Sequence, residues 1–214
     1  LFVNSKKIII AVLDSENQTI YKKEALDKNS MSKINFDFLN GFLNQNIFEI
    51  EKILNEFVNN IFLIVDHSDL FSVGLSIKEK TDNILLNTNS ISSLLAEARN
   101  QCKQTLAGND VIHMKIDEFC IDDIHYKILP DKQNCKNFSI DLSFICLPTE
   151  VTKNFKKIFS YYEISISKIL SFDYLSNFFD NDDKDIHVIA HKILNGLNEN
   201  EVFFTNKNPK NEGF

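Results

Sequence analysis

Two periods of hydrophobic and polar positions run along this chain, and they predict different elements. A nearly continuous β-branched run at 6–14 predicts a strand covered on both faces, and 18–26 can pair with it as a hairpin. Further strands are predicted at 61–66, 70–78, 111–121, 137–148 and 163–172. Helical spacing predicts helices that begin at Asn46 and that span 90–106, 150–162 and 184–195, whereas 27–46 is polar and predicts a loop.

This order of elements predicts a mixed α and β protein. Helices at 90–106 and 150–162 are expected to cover the strands at 111–121 and 138–147. The later strand alternates cleanly, so its apolar residues are expected to face a core and its polar ones to face outward: Ser139, Asp141 and Ser143. A polar outer face without a catalytic set favours a docking surface.

The segment VIHMKIDEFCIDD at 111–123 concentrates reactive side chains. In one continuous strand His113 and Cys120 lie on opposite faces, which excludes a nucleophile and base pair between them. Pairing of His113 with Cys102 or Cys146 from another element stays open. The segment also holds four carboxylates that predict a solvated strand edge, with paired catalytic carboxylates as the alternative: Asp117, Glu118, Asp122 and Asp123.

The composition mainly excludes classes of function. The 214 residues are 43% hydrophobic and include 19 Phe, enough to fill one large core or two small ones. A formal charge of −7 and a single arginine, Arg99, argue against nucleic acid, because Lys and Arg on phosphates supply that affinity. No apolar run approaches the roughly 20 residues that span a bilayer, and no signal peptide is recognised. We therefore expect a cytoplasmic protein.

The candidate metal ligands are incomplete. The cysteines at 102, 120, 135 and 146 form no C-x-x-C pair, so free thiols in a reducing cytosol are expected. His187 and His191 have zinc-ligand spacing, but the glutamate of H-E-x-x-H is missing. An acidic cluster lacks the Gly and Glu of a calcium loop and is expected to complement the last helix: Asp180, Asp182, Asp183 and Asp185. No metal, cofactor or catalytic residue is predicted.

The order of motifs from 61 to 175 carries a resemblance. IFLIVDHSDLFSVGL is followed by a helix ending LLAEARNQC, by DVIHMKIDEFCIDD, and by FSIDLSFICLPTEVTKNFKKIF. The matching positions are Ile112 with His113, Phe119 with Asp122, 140–146, Asn154 with Phe155, and Ser176 in a short helix. In these motifs the chain resembles the cell-division protein FtsA family of the actin-like ATPase superfamily, mainly its SHS2 subdomain, also called 1C. The resemblance implies a shortened or divergent relative of that family.

The resemblance implies a fold and a division into domains. The implied fold class is α/β (α+β), with a partial actin-like (ribonuclease H-like) subdomain 1A and an inserted SHS2 (1C) subdomain. Subdomain 1A is expected at 1–81, SHS2 at 82–165, a return strand and helices at 166–195, and a flexible tail at 196–214.

Upstream, IIIAVLDSENQTIY stands where the family has a first phosphate loop. Asp14 matches the acidic residue of that loop, but Glu16 and Asn17 replace the Gly and Thr of the loop. The Gly is what lets backbone N–H groups approach a phosphate. The glycines are dispersed, so a second Gly-rich loop is not recognised. Asp14 is therefore expected to be vestigial at most, and no nucleotide-binding residue is predicted.

The implied function is that of an FtsA-like scaffold, not an enzyme. It would act by protein contact through residues within 82–165, in self-association and in recruitment of other divisome proteins. An FtsZ contact is not carried over because the FtsZ-binding subdomain has no counterpart, and a membrane contact would need a C-terminal helix that is not in this sequence. The expected location is the bacterial cytoplasm, at the inner face of the membrane at the division site. An ATP-binding actin-like ATPase with an unrecognised nucleotide site is the alternative.

Overall fold

The computed structural model describes residues 1–28, 32–85, 88–130, 134–179 and 185–203. These residues form a mixed α and β fold with two sheets, as the sequence predicts. In chain order the elements are β1 (Phe2–Val3), β2 (Lys7–Leu13), β3 (Thr19–Leu26), α1 (Phe36–Leu54), β4 (Asn60–Val65), β5 (Phe71–Leu85), α2 (Thr88–Thr105), β6 (Asn109–Ile121), β7 (Ile124–Tyr126), β8 (Asn134–Pro148), α3 (Thr149–Ser160), β9 (Ser165–Ser171), α4 (Phe172–Ser176) and α5 (Ile186–Leu194).

The first sheet has the strand order β3-β2-β1-β4-β9. β2 is antiparallel to β1 and β3, whereas β1, β4 and β9 are parallel. Buried residues of α1 and α3 pack on one face of this sheet, and α4 and α5 pack on the other. The first sheet is therefore the middle layer of three, which explains the continuous apolar runs of β2 and β4.

The second sheet has the strand order β5-β8-β6-β7 and is antiparallel throughout. Its core holds the inward residues predicted for β8, together with the apolar stripe of α2: Phe138, Ile140, Leu142, Phe144, Cys146, Leu94, Ala98 and Cys102. The chain leaves the first sheet after β4, builds the second sheet, and returns through α3 to β9. The second sheet is thus inserted between two neighbouring strands of the first.

The limits of the second sheet differ from the expected 82–165. β5 pairs with β8 from its first residue, where Phe71 lies opposite Cys146, so the sheet begins before residue 82. The prediction that the helix at 150–162 covers this sheet is wrong. Phe155 and Phe159 of α3 are fully buried in the first core, because α3 is the crossover that carries the chain from β8 to β9.

The helix α1 begins earlier than predicted. Asn35 caps it by accepting the N–H of Phe38 at 3.0 Å, so the prediction of a loop up to residue 46 is wrong from 36 onward. Asn46, the expected cap, lies inside the helix and is buried. Its amide donates to the Phe42 carbonyl at 2.6 Å, and its oxygen accepts the Tyr21 hydroxyl at 2.8 Å. These bonds satisfy the buried polar side chain of Asn46, a residue type that the sequence pattern favours as an N-cap.

Two bulges change the faces of β6. The pairing with β8 shifts between Val111 and His113 and again between Ile116 and Glu118. The second shift places His113 and Cys120 on the same face, away from the second core, so the prediction of opposite faces is wrong. At about 3.3 Å per residue their Cα atoms are nevertheless roughly 20 Å apart along the strand, which excludes a catalytic pair.

The segment after α5 is docked, at least as far as residue 203. Ile116 donates its N–H to the Asn200 carbonyl, and Val202 donates to the Met114 carbonyl, both at 2.8 Å. The expectation of a flexible tail from 196 is therefore wrong for this part, and 204–214 lies outside the described residues. In the described ranges, no helix is long and apolar enough to cross a membrane.

Candidate functional site

A buried polar network around His113 joins the two sheets to the C-terminal segment. His113 Nδ1 lies 2.8 Å from Glu201 Oε1, and the Ser171 backbone N–H donates to His113 Nε2 at 2.9 Å. The Tyr174 hydroxyl donates to Glu201 Oε2 at 2.7 Å, and the Asn198 amide donates to that hydroxyl oxygen at 2.8 Å. The side chains of His113 and Glu201 are 0% exposed.

The geometry fixes the protonation state of this network. His113 Nε2 accepts an N–H, so it carries no proton, and Nδ1–H must donate to the Glu201 carboxylate. Burial lowers the pKa of His113, which agrees with a neutral ring. Burial opposes ionisation of Glu201, but hydrogen bonds from His113 and Tyr174 hold its pKa below the usual value. Both ring nitrogens of His113 are occupied, so the group suits a structural joint better than a general base.

Local structure brings these side chains together. The first bulge of β6 accompanies the turn of His113 away from the second core. Ser171 ends β9 and caps α4, since its hydroxyl accepts the Tyr174 N–H at 3.3 Å. Glu201 reaches the network because it forms an isolated antiparallel bridge with Lys115. The joint therefore uses one residue or more from each sheet and from the C-terminal segment.

A basic cleft of about 610 Å³ lies beside this joint, between β6 and β9. Four cationic side chains line it: Arg99, Lys103, Lys156 and Lys168. Asp110 also lines it, and its carboxylate accepts hydrogen bonds from the hydroxyls of Thr149 and Thr152. In a chain of formal charge −7, this concentration of positive charge can hold an anionic group.

Lys168 links the cleft to the joint. Its Nζ lies 3.9 Å from Glu201 Oε1 and 4.7 Å from the centre of the Phe203 ring. Burial lowers the pKa of Lys168, and the positive charge of Arg99 lowers it further, while Glu201 opposes the shift. The cleft and the joint are therefore electrostatically coupled.

The outer face of the second sheet is polar, as predicted for β8. Asp141 and Ser143 are half-buried and alternate with the buried apolar residues of that strand, whereas Ser139, on the same face, is itself buried. The neighbouring positions of β5 are small and exposed: Ser72, Gly74 and Ser76. Asp117 of β6 accepts a hydrogen bond from the Ser143 hydroxyl, so polar side chains of neighbouring strands bond to each other on this face.

Asp14 serves the turn between β2 and β3. Its Oδ1 accepts the N–H groups of Glu16 at 2.9 Å and Gln18 at 2.8 Å, and Asn17 has a left-handed φ of 64°. The segment aligned with a phosphate loop is thus a hairpin turn. The other hairpin turn of the first sheet, between β1 and β2, is held in the same way by Asn4, whose side-chain oxygen accepts the N–H groups of Lys6 and Lys7.

The two histidines of α5 differ in burial and in hydrogen-bond partner. His187 is buried, and its Nδ1 lies 3.1 Å from Asp185 Oδ1, whereas His191 is half-buried and contacts Asn195. Burial lowers the pKa of His187 to about 4. Asp185 caps the helix, as expected of the acidic cluster, and the cluster's other members lie outside the described residues. Across the described ranges, no group of three or more His, Cys, Asp or Glu suits a metal ion.

The other reactive candidates are committed to local contacts. Burial raises the pKa of the Cys102 and Cys146 thiols, that of Cys146 to about 12, and each thiol lies close enough to affect the other. The occupied nitrogens of His113 exclude the pairing with either thiol. Asp122 accepts the N–H groups of Lys136 and Asn137, and Glu118 pairs with His125 and Lys127. These carboxylates therefore hold strand ends and hairpins together.

The sequence pattern missed Glu201, Tyr174, Lys168 and Asn198. The one local signal was EVFF at 201–204, a short apolar run after a polar stretch, which is typical of a docked strand. Comparison with known proteins adds no further residue, because no protein-family model matches the chain and no curated protein matches it. The joint, the cleft and the outer face are therefore the features that bear on function.

Proposed function

We propose that the chain is an FtsA-like cell-division scaffold that acts by protein contact through its second sheet. Its role is self-association and recruitment of other division proteins, without ATPase activity. The observation that carries the proposal is the polar outer face of the second sheet, flanked by the long edge strand β5. The core of this sheet lies on its other face, against α2.

The position of the second sheet in the chain supports this reading. It is inserted between β4 and β9, and its two ends meet where Phe71 pairs with Cys146. The FtsA resemblance implies such an inserted subdomain on a partial actin-like, ribonuclease H-like one. The match in order of elements is the support for the finer fold assignment.

The edge strand β5 offers backbone groups to a partner. It has 15 residues and pairs with β8 on one side, and in the described residues no strand pairs with its other side. A second copy can add to such an edge by ordinary strand pairing, which supplies affinity through main-chain hydrogen bonds. The small side chains at 72, 74 and 76 leave room for that approach.

The joint supports contact over catalysis. His113 is held by Glu201 and Ser171 on both ring nitrogens, so it has no lone pair to offer a substrate. The proposed place of action is the cytoplasmic side of the division site in a bacterium, with other divisome proteins and the chain itself as partners. FtsZ and nucleic acid are not among the proposed partners.

A glycine substitution with a matched control tests the proposal. Gly74 is exposed on β5 and Gly41 is exposed on α1, and an added Cβ meets no atom within 4 Å at either position. Gly74→Arg places a long cation on the proposed contact surface, whereas Gly41→Arg places the same side chain elsewhere. We expect Gly74→Arg to weaken self-association at least about tenfold in sedimentation velocity and to abolish mid-cell recruitment. Gly41→Arg should behave like the wild type.

The outcome is decisive because both variants are expected to fold. Circular dichroism and the melting temperature establish folding before association is measured. A folded Gly74→Arg variant that self-associates and localises normally would contradict the proposal.

A further inference from the structure

A slot opens in the middle of the first sheet, between β2 and β4. β1 pairs with both strands only through Phe2 and Val3. In the described residues no strand separates 11–13 of β2 from 60–62 of β4. A cavity of about 330 Å³ occupies this position, and both strands line it.

Apolar side chains wall the slot from both helix layers. Ile47 and Leu54 of α1 line one side, and Ala190 and Leu194 of α5 line the other. A cavity lined from both faces of a sheet lies within the sheet layer itself. Its shape is that of a missing length of strand.

The strand register gives the length of that strand. Phe2 lies opposite Ile9 of antiparallel β2 and opposite Ile64 of parallel β4. Continuing this register, Leu1 lies opposite Ile10 and Leu63, and three further positions lie opposite Ala11 and Phe62, Val12 and Ile61, and Leu13 and Asn60. The last pair coincides with the end of β2 and the start of β4. Three residues span about 10 Å.

One buried polar atom that lines the slot lacks a hydrogen-bond partner, and a buried α-amino group lies beside it. His187 lines the slot, is 6% exposed, and has a buried Nε2 without a hydrogen-bond partner in the described part of the chain. Because His187 Nδ1 faces a carboxylate, Nε2 is an acceptor and needs a donor. Leu1 is also buried, and its α-amino group donates to the Phe62 carbonyl at 2.9 Å.

We propose that this slot is a strand acceptor, which takes an extended segment of about three residues in line with β1 and joined to Leu1 by a peptide bond. An amide at Leu1 keeps the hydrogen bond to Phe62 without a buried charge. Side chains alternate, and Leu1 faces the α1 layer. The position next to Leu1 therefore faces α5, where a hydroxyl can donate to His187, and the following position faces α1 and takes an apolar side chain. This inference does not depend on the proposed function.

Engineered extensions test the slot directly. One variant carries valine, isoleucine and threonine before Leu1, with threonine adjacent to Leu1, and the matched control carries glycine, serine and glycine. The apolar extension should raise the melting temperature by about 5 °C or more over the control, because it buries two large side chains. Hydrogen exchange should slow at least about tenfold at those amides of 11–13 and 60–62 that point into the slot, since they gain partners.

Titration gives an independent readout. Burial lowers the pKa of the Leu1 α-amino group to about 5, so the folded chain that begins at Leu1 binds fewer protons than the unfolded chain between pH 5 and 8. Its stability therefore rises through this range, and the apolar extension should remove that rise. Replacing the threonine by valine should lower the melting temperature in the wild-type background but not in His187→Leu.

Two results would overturn the inference. The first is an apolar extension that is no more stabilising than the glycine and serine control. The second is octanoate raising the melting temperature as much as the extension, with unchanged exchange at 11–13 and 60–62, which would make the slot a small-molecule cavity.

Discussion

The two sheets of this molecule bury their surfaces differently. The first sheet has helices on both faces, and its central strands are apolar on both sides. The second sheet buries one face under α2, whereas its opposite face is polar and is covered at the joint, where His113 contacts Tyr174 of α4. We call the first sheet, which is covered on both faces, the frame; the second sheet is covered by α2 on one face and carries on the other the surface that we propose for partner contact.

The joint at His113 shows how the frame controls the position of that surface. One ring nitrogen is bonded through the end of β9 and the other through Glu201. The second sheet is thus tied to the frame by hydrogen bonds with defined geometry rather than by apolar contact alone. A contact surface held in this way binds partners with little reorganisation.

The largest effect is expected in the core of the frame. Phe159→Ala removes a ring that is 0% exposed between α3 and the first sheet, and should lower the free energy of unfolding by about 3–5 kcal/mol. Urea unfolding measures this loss. Tyr161→Ala, at a site that is 72% exposed, should change it by less than about 0.5 kcal/mol. Equal losses for the two variants would mean that α3 does not pack as described.

The joint is expected to show the next largest effect. Glu201→Gln removes the negative charge and puts an amide NH2 group, which is a donor, opposite either the Tyr174 hydroxyl or His113 Nδ1–H. The free energy of unfolding in urea should fall by about 2–3 kcal/mol. Glu199→Gln, two positions earlier and exposed, is the control and should be neutral within about 0.5 kcal/mol. A neutral Glu201→Gln would show that the two sheets are held together without this network.

Acid should weaken both the frame and the joint. Burial lowers the pKa of His187 to about 4 and also lowers that of His113, so both are neutral when folded. The unfolded chain binds more protons below pH 6.5, so stability is full above that value and falls by up to about 1.4 kcal/mol per pH unit for each histidine as pH drops toward 4. Urea unfolding at several pH values tests this. His187→Leu should flatten the dependence, and an unchanged dependence in this variant would contradict the prediction.

The smallest effect is expected for nucleotide. Asp14 Oδ1 accepts the N–H groups of Glu16 and Gln18, so this carboxylate shapes a hairpin turn and not the phosphate loop in which it would help to position a magnesium ion. Isothermal titration with magnesium ATP should give no binding heat. A dissociation constant in the low micromolar range would favour the ATPase alternative, in which the frame and not the second sheet carries the function.

The sequence pattern predicted elements whose structure depends on neighbouring residues of the chain. The alternation of β8 identified the five inward residues of 138–146, because one face of that stretch is apolar and the other polar. The α1 helix was missed up to residue 46 because Asn and Asp interrupt its stripe, while Leu39, Phe42 and Leu43 are the residues that bury it. Propensity there is overridden by packing on the first sheet.

The site depended on contacts that no window of sequence contains. His113 and Glu201 are 88 positions apart, and their pairing follows from a bulge in β6 and from the docked segment after α5. A strict period of two assigned Cys120 to the wrong face for the same reason. One extra residue in a strand reverses every later side chain, and nothing in the pattern marks it.

The insertion of the second sheet also has a consequence for the order of folding. β4 and β9 are neighbours in the first sheet, yet Asn60 pairs with Ser165, so that contact closes a loop of roughly half the 214-residue chain. Closing such a loop early costs much chain entropy. If the second sheet folds first, the pairing of Phe71 with Cys146 brings the two ends of the loop together. The frame is then completed late, after its insert, and a delay in forming β5 and β8 should leave β4 exposed to pairing with other chains.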